Sequence, residues 1–363
     1  MTSARPRSIV IGAGLMGRLL AWQLARAGHQ VTVHEAGDAQ GNNATARVAA
    51  AMLAPLAESA ITEPSVVRMG QYSLVRWPEL LGQLKQPVFF QQEGTLVLWH
   101  RQDAAEAQRF AAQLRKTQTL LPDLPTMRTL GSADLQHLEP SLESRFSQGL
   151  YLPAEGQLDN RQLLSALVHE LESMAIELNW NSSREPEDFS GNNETEADWI
   201  FDCRGLGAKP QWPQLRGVRG EVARVQAPQV RLSRPTRLIH PRYPIYIAPK
   251  PEQVYVIGAT EIESEDFSPP SVRSTLELMS AAYAVDPGFA EARILEINTQ
   301  CRPTLPDNLP AIRRLGPRSF QINGLYRHGF MIAPALLDIT LELVLKNASP
   351  LANKFSLEIG APQ

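Results

Sequence analysis

The stretch SIVIGAGLMGRLLAWQLARAGHQVTVHEA, residues 8–36, decides the fold. Ser8 to Ile11 reads as a short apolar strand, followed by Gly12, Gly14 and Gly17 in the spacing G-x-G-x-x-G. In that spacing the first glycine permits a tight turn, the second lets a pyrophosphate approach the backbone, and the third lets helix pack on strand. Met16, Leu20, Leu24 and Ala27 then recur on one helical face, and Gly28 suits a left-handed cap. A second strand, Val31 to Val33, delivers Glu35, whose carboxylate can hold a ribose hydroxyl. A bare glycine pattern is a weak signal, equally met in a turn that binds nothing. Strand, glycines, amphipathic helix, cap, strand and acid in this order specify a dinucleotide site.

At 363 residues the chain is long enough for a sizeable core and suggests two domains. A net charge of −3 without basic runs argues against nucleic acid as the main partner. Cys203 and Cys301 are the two cysteines, so a disulfide framework is not expected and a reducing, cytoplasmic setting fits. No apolar run is expected to reach the ~20 residues of a membrane span. No metal-ligand cluster is expected from seven scattered histidines. Nothing in the sequence fixes the oligomeric state, and a homo-oligomer is left open.

Along the chain, Ala44 to Pro55 is dominated by small residues that let backbone pack under a planar ligand. Helices are expected over 64–84, 102–118, 160–175 (with Asn160 as cap), 271–283 and 331–345, the last with Pro334 in its first turn. Strands are expected at 93–99, 149–152, 199–201, 219–225, 244–247, 254–257 and 319–322, and an exposed turn over 182–197. The strand before Gly205 and Gly207 suggests backbone passing close to a ligand. The closing strand–loop–helix matches the opening nucleotide motif. The fold class is therefore α/β (α+β): a Rossmann-like domain assembled from both chain ends (1–84, 148–215 and 300–363), with an inserted, mainly antiparallel sheet (85–147 and 216–299). The helix starting near Met331 would aim its positive end into the site.

These pieces resemble the D-amino-acid-oxidase superfamily of flavoproteins, and within it the glycine oxidases of thiamine biosynthesis. The carrying segments are IGAGLMG with Glu35, RVAAAMLAP (47–55), EGTL (93–96), YLPAEGQLDNRQLL (151–164), DCRGLGA (202–208), RGVRGE (216–221), YIAPK (246–250), IGATEIES (257–264), CRPTLPDNLPAI (301–312) and GLYRHGFMIAPAL (324–336). The resemblance implies FAD rather than NAD, held non-covalently. It places Gly12, Gly14 and Gly17 at the pyrophosphate and Glu35 on the adenosine ribose. Ala46, Arg47, Ala51 and Met52 match the loop along pyrophosphate and flavin, and Gly205 the turn after the second nucleotide strand. Gly329, Phe330 and Met331 match backbone bordering the flavin. Arg302 and Tyr246 match the pair that holds the substrate carboxylate, and Arg327 the arginine of the closing motif. Several relatives carry Asn where this chain has His328.

Each residue also has a plainer reading. Arg302 could form an interdomain salt bridge, although a planar guanidinium holds a carboxylate through two parallel hydrogen bonds. Tyr246 could simply pack in a sheet, Arg327 could pair with Asp338, and His328 could be a structural histidine. Cys301 falls one residue from the position where some members attach FAD, so a packed thiol is expected. The implied reaction is oxidative deamination of glycine, sarcosine or D-alanine by hydride transfer to flavin N5. It gives an imino acid, then a 2-oxo acid, ammonia and H2O2, with O2 as acceptor and a role in building the thiamine thiazole. Alternatives are a D-amino acid or sarcosine dehydrogenase using a quinone, or a non-catalytic FAD-binding redox protein.

Overall fold

The nucleotide motif folds as its spacing requires. In the computed structural model, which describes residues 5–142, 145–174, 176–189, 197–241 and 244–360, Arg7–Ile11 lies between two parallel neighbours, Gln30–His34 and Trp199–Asp202. Val10, Val33 and Phe201 are buried because this strand is covered on both faces. The helix Leu15–Arg26 follows Gly14, and Gly28 takes a φ of +93°, where a side chain would be strained. The seven-stranded sheet runs Ile359–Gly360, Ala311–Gly316, Ser319–Asn323, Trp199–Asp202, Arg7–Ile11, Gln30–His34, Glu177–Asn179. Its order brings the C-terminal strand Ser319–Asn323 beside Trp199–Asp202, so both chain ends build one nucleotide-type sheet.

A nine-stranded sheet forms the second layer. Its path is Ile262–Glu263, Arg216–Gln226, Val254–Gly258, Ile245–Lys250, Thr236–Ile239, Thr95–Trp99, Gln148–Leu152, Arg128–Gly131. Arg293–Thr304 joins along the length of Arg216–Gln226. The pairing is antiparallel except for Thr236–Ile239 with Thr95–Trp99, and the short Val218 to Ser264 bridge. This sheet takes in Gln148–Leu152 and extends to Thr304, past the divisions expected at 148 and 300. Gln148–Leu152 pairs with Thr95–Trp99 and Arg128–Gly131, and Arg293–Thr304 with Arg216–Gln226, so pairing rather than local sequence assigns both segments.

Two helix starts differ from expectation. Asp159, not Asn160, caps Asn160–Ser173: its Oδ1 accepts from the amides of Arg161 and Gln162, both at 2.9 Å. A carboxylate satisfies the positive helix start better than an amide. Asn160 is free to donate to the carbonyls of Ala46 (2.9 Å) and Arg47 (2.7 Å). The closing helix spans Gly329–Lys346, which places Pro334 in the second turn. A proline there leaves the Phe330 carbonyl without its helical donor. Trp77 Nε1 donates to that oxygen instead, at 2.8 Å.

The segment Tyr326–Lys346 is long and apolar enough to cross a membrane by length and composition, which corrects the sequence reading. Arg327, Asp338, Glu342 and Lys346 are the charged residues of that segment. Here Ile332, Ala333, Leu336, Leu337 and Ile339 are fully buried in the core around the seven-stranded sheet. Of the turn expected over 182–197, Pro186–Phe189 forms a single 3-10 turn and residues 190–196 lie outside the described residues.

Candidate active site

A cleft of about 1500 Å³ lies where the two sheets meet, lined from Gly12 and Glu35 at one end to Tyr246, Arg302 and Arg327 at the other. At the nucleotide end Gly12 has φ +93°, and a Cβ there would stand 2.7 Å from the Cys203 carbonyl oxygen. Gly14 has open space where its Cβ would point, so a ligand can approach that backbone. Gly17 is not on the cleft wall. A Cβ there would overlap the Gly12 carbonyl, so its part is to let helix meet strand. Glu35 accepts from the amide of Ala13 at 2.5 Å and of Gly37 at 2.8 Å, which sets its carboxylate beside the glycine turn. Arg18, missed in the sequence, braces that turn: it is buried and donates to the carbonyls of Ala13 (2.6 Å), Leu164 (2.9 Å) and Ala39 (2.9 Å).

Midway, Ala46, Ala51, Met52, Gly205, Gly329, Phe330 and Met331 all line the cleft. Arg47 does not; its guanidinium turns to the Gln40 carbonyl at 3.3 Å. Ala51 sits at φ +52°, and the loop that holds it is fixed from outside by Asn160 and Lys250. Lys250 Nζ donates to Ala50 O (2.9 Å), Leu158 O (2.7 Å) and Gln157 Oε1 (3.1 Å), using all three protons. Burial pushes its pKa down to about 7. A lysine closing the apolar strand Ile245–Lys250 is the signal that could have revealed it. Gly329 leaves open space for a Cβ at the start of the closing helix, whose positive end faces the cleft.

At the opposite end Arg302 donates to Thr260 O at 3.3 and 3.2 Å and to Arg219 O at 3.5 Å. Among the described residues it has no carboxylate partner within 4.0 Å, unlike the salt bridge that was the alternative. Its guanidinium lies over Gly220, and the Tyr246 ring over Gly258, its partner in the strand register. Burial pushes the Tyr246 hydroxyl pKa up, so it remains a donor.

Arg327 pairs with Glu58, from Nε at 2.9 Å and Nη2 at 2.6 Å, and with Glu261 from Nη1 at 2.9 Å. It does not meet Asp338, which is held by Arg76 and Tyr72. Arg237 takes the other Glu58 oxygen. Burial raises the Glu58 carboxyl, but Arg327, Arg237 and His328 outweigh it and hold it well below the usual carboxylate range. His328 Nδ1 is 3.5 Å from Glu58 without a hydrogen bond, and burial pushes its pKa down to about 4. Glu58, Arg237 and Glu261 were missed; a lone acid in the small-residue run LAPLAESA was the available signal. The Cys301 thiol is turned to the carbonyls of Ser264 and Asp266, both at 3.6 Å, and burial pushes its pKa up. Among the described residues no group of three or more His, Cys, Asp or Glu gathers to hold a metal.

The turn without a Cβ at Gly12, the open backbone at Gly14 and Gly329, and the placed Glu35 fit a dinucleotide with a planar head group. A nucleotide sheet and an antiparallel sheet sharing one such cleft define a dinucleotide-dependent oxidoreductase. The chain belongs to the DAO family of FAD dependent oxidoreductases, which matches residues 7–343. It is 38% identical over 345 residues to the ThiO protein of Rhizobium etli, named as a thiamine biosynthesis oxidoreductase, covering 95% of this chain and 98% of that protein. Glycine oxidase of Geobacillus kaustophilus is 24% identical over 92% of each chain, and its crystal structure superposes with a TM-score of 0.81 at 22% identity over 97% of this chain and 99% of the other. Iminodiacetate oxidase from Chelativorans sp. BNC1 shares the fold with a TM-score of 0.80 at 20% identity, over 98% and 100% of the two chains. The protein is an FAD-dependent oxidoreductase of the glycine oxidase and ThiO type.

Proposed function

We propose that this oxidoreductase oxidises a small amino acid — glycine, sarcosine or D-alanine — with water to a 2-oxo acid and ammonia (methylamine from sarcosine), with O2 reduced to H2O2, and that it serves thiamine thiazole synthesis. The single observation that carries the substrate class is Arg302: a guanidinium on the cleft wall with no carboxylate partner among the described residues, beside the Tyr246 hydroxyl. Two N–H groups in a planar fork orient a carboxylate, and Tyr246 donates to it from the side. Thr260 and Arg219 carbonyls hold the guanidinium in place beforehand, which lowers the ordering cost on binding. The seven-stranded sheet with its glycine turn would serve FAD, and the nine-stranded sheet the substrate.

When bound, FAD supplies the two-electron acceptor that the amino acid's α-carbon needs. Gly12, Gly14 and Glu35 would hold its adenosine and phosphate end. Ala46, Ala51, Met52, Gly205, Phe330 and Met331 would line its ring. The helix start at Gly329 would favour negative charge at that end of the cleft. No side chain is required to take a carbon-bound proton, which agrees with Glu58 being fully engaged and with His328 being a weak base, its pKa pushed down to about 4 by burial. The reading is supported by the 38% identity with the Rhizobium etli ThiO protein.

The experiment is to add glycine without oxygen to the flavin-loaded protein and follow the flavin absorbance. Bleaching in the wild type and its loss in Arg302→Ala, with flavin content unchanged, are expected. Bleaching that is indifferent to Arg302→Ala would overturn the role of Arg302, and no bleaching with any of the three amines would overturn the substrate class.

A further inference from the structure

Three guanidinium groups face the cleft around the Tyr246 hydroxyl: Arg237, Arg302 and Arg327. Glu58 ends the short helix Pro55–Glu58, which places its carboxylate between Arg237 and Arg327. One oxygen meets Arg237 and the other accepts both Nε and Nη2 of Arg327. The remaining face of Arg327 is taken by Glu261, whose second oxygen accepts the Tyr326 hydroxyl at 2.6 Å. Among the described residues, two of the three cations thus have a carboxylate partner, and Arg302 has carbonyl oxygens alone.

We propose that Glu58 is a specificity-determining residue: by occupying Arg237 and Arg327 it leaves one guanidinium for a substrate anion, so the cleft takes amines carrying one carboxylate and rejects those carrying two. The proposal rests on the reading that Arg302 takes the substrate carboxylate. A second carboxylate at Arg237 or Arg327 would compete with Glu58 for that cation and bring a second negative charge against a buried carboxylate. An uncompensated buried charge is strongly unfavourable, so the pairing acts against the wrong substrate while leaving the right one untouched. With the Glu58 charge removed, the same two arginines become a second anion receptor.

The test is calorimetric titration of the flavin-loaded protein with acetate and with malonate, neither of which has an amine to oxidise. In Glu58→Gln the preference for malonate over acetate rises about tenfold or more relative to the wild type, the worth of one released charge-assisted hydrogen bond. An unchanged preference overturns the proposal. If Glu58→Gln does not fold, the charge-neutral double variant E58Q/R237Q still frees Arg327 from Glu58, and the same rise or its absence decides the question. Arg302→Ala separates the two levels. Acetate affinity that ignores Arg302→Ala overturns the underlying reading and the proposal with it. Acetate affinity that depends on Arg302, with an unchanged preference in Glu58→Gln, overturns the proposal alone.

Discussion

Replacing Gly220 by alanine displaces Arg302 without altering it. Gly220 lies opposite Gln300 in the strand register and Arg302 opposite Val218, so the arginine crosses the glycine on a diagonal of one sheet face. A methyl group on Gly220 would stand 2.7 Å from Nη1 and closer still to Cζ and Nη2. Ordinary contacts lie at about 3.5–4.0 Å, so the guanidinium must retreat by about 1 Å. It is the free end of a long side chain, and its hydrogen bonds to Thr260 and Arg219 are long ones of 3.2–3.5 Å. The strand pairing therefore survives, and stability changes by about 1 kcal/mol at most. With Arg302 as the proposed carboxylate clamp, glycine turnover responds far more, because a clamp misplaced by ~1 Å costs about 100-fold in rate. Loss of one charge-assisted hydrogen bond alone gives about 1.5–3 kcal/mol, or about 10- to 100-fold. The assay is kcat/KM for glycine in the flavin-loaded Gly220→Ala variant, with flavin content and thermal midpoint measured alongside. The expected result is a fall of about 10- to 100-fold at unchanged flavin content. A wild-type kcat/KM for glycine would refute the reasoning, since the carboxylate would then be held somewhere other than Arg302.

Trp77→Phe removes the donor that compensates Pro334, leaving the buried Phe330 carbonyl unsatisfied, and urea unfolding should show a loss of about 1–3 kcal/mol; a loss below about 0.5 kcal/mol would mean that another donor reaches that oxygen. Glu155 is buried with one oxygen on the Ala57 amide at 2.7 Å, and burial pushes its pKa up to about 7. A carboxyl raised in the folded state binds its proton more tightly there than in the unfolded chain. Its contribution is therefore fully present below pH ~4.5 and is lost as pH rises through about 7. Glu155→Gln keeps the neutral form throughout, so its thermal midpoint should match the wild type at pH 5 and exceed it at pH 8. The gain at pH 8 is at most about 3 kcal/mol. Equal midpoints at both pH values would show that Glu155 does not titrate in this range.

What the sequence by itself determined was the part of the molecule built from local periodicity. The order of strand, glycines, helix and acid over residues 8–36 needs only neighbours in the chain to be satisfied, so Arg7–Ile11, Leu15–Arg26 and Gln30–His34 were legible before any contact was known. The cap at Gly28 was legible for the same reason. Motif resemblance carried Tyr246, Arg302 and Arg327 to one site, and all three line the cleft. Local reading failed where a residue's partner is distant in sequence. Asn160 looks like a helix cap, yet Asp159 wins that place and Asn160 reaches the loop at Ala46, 114 positions away. Gly17 and Arg47 belong to the right segments but face away from the cleft, one toward Gly12 and the other toward Gln40. The charge pattern was the least legible of all. Glu58, Arg237, Glu261 and Arg327 come from four separate segments, and no periodicity links them. Only the folded chain decides which arginine is neutralised and which is free, because an ion pair is fixed by distance in space, and that distance is set by how the two sheets close on the cleft.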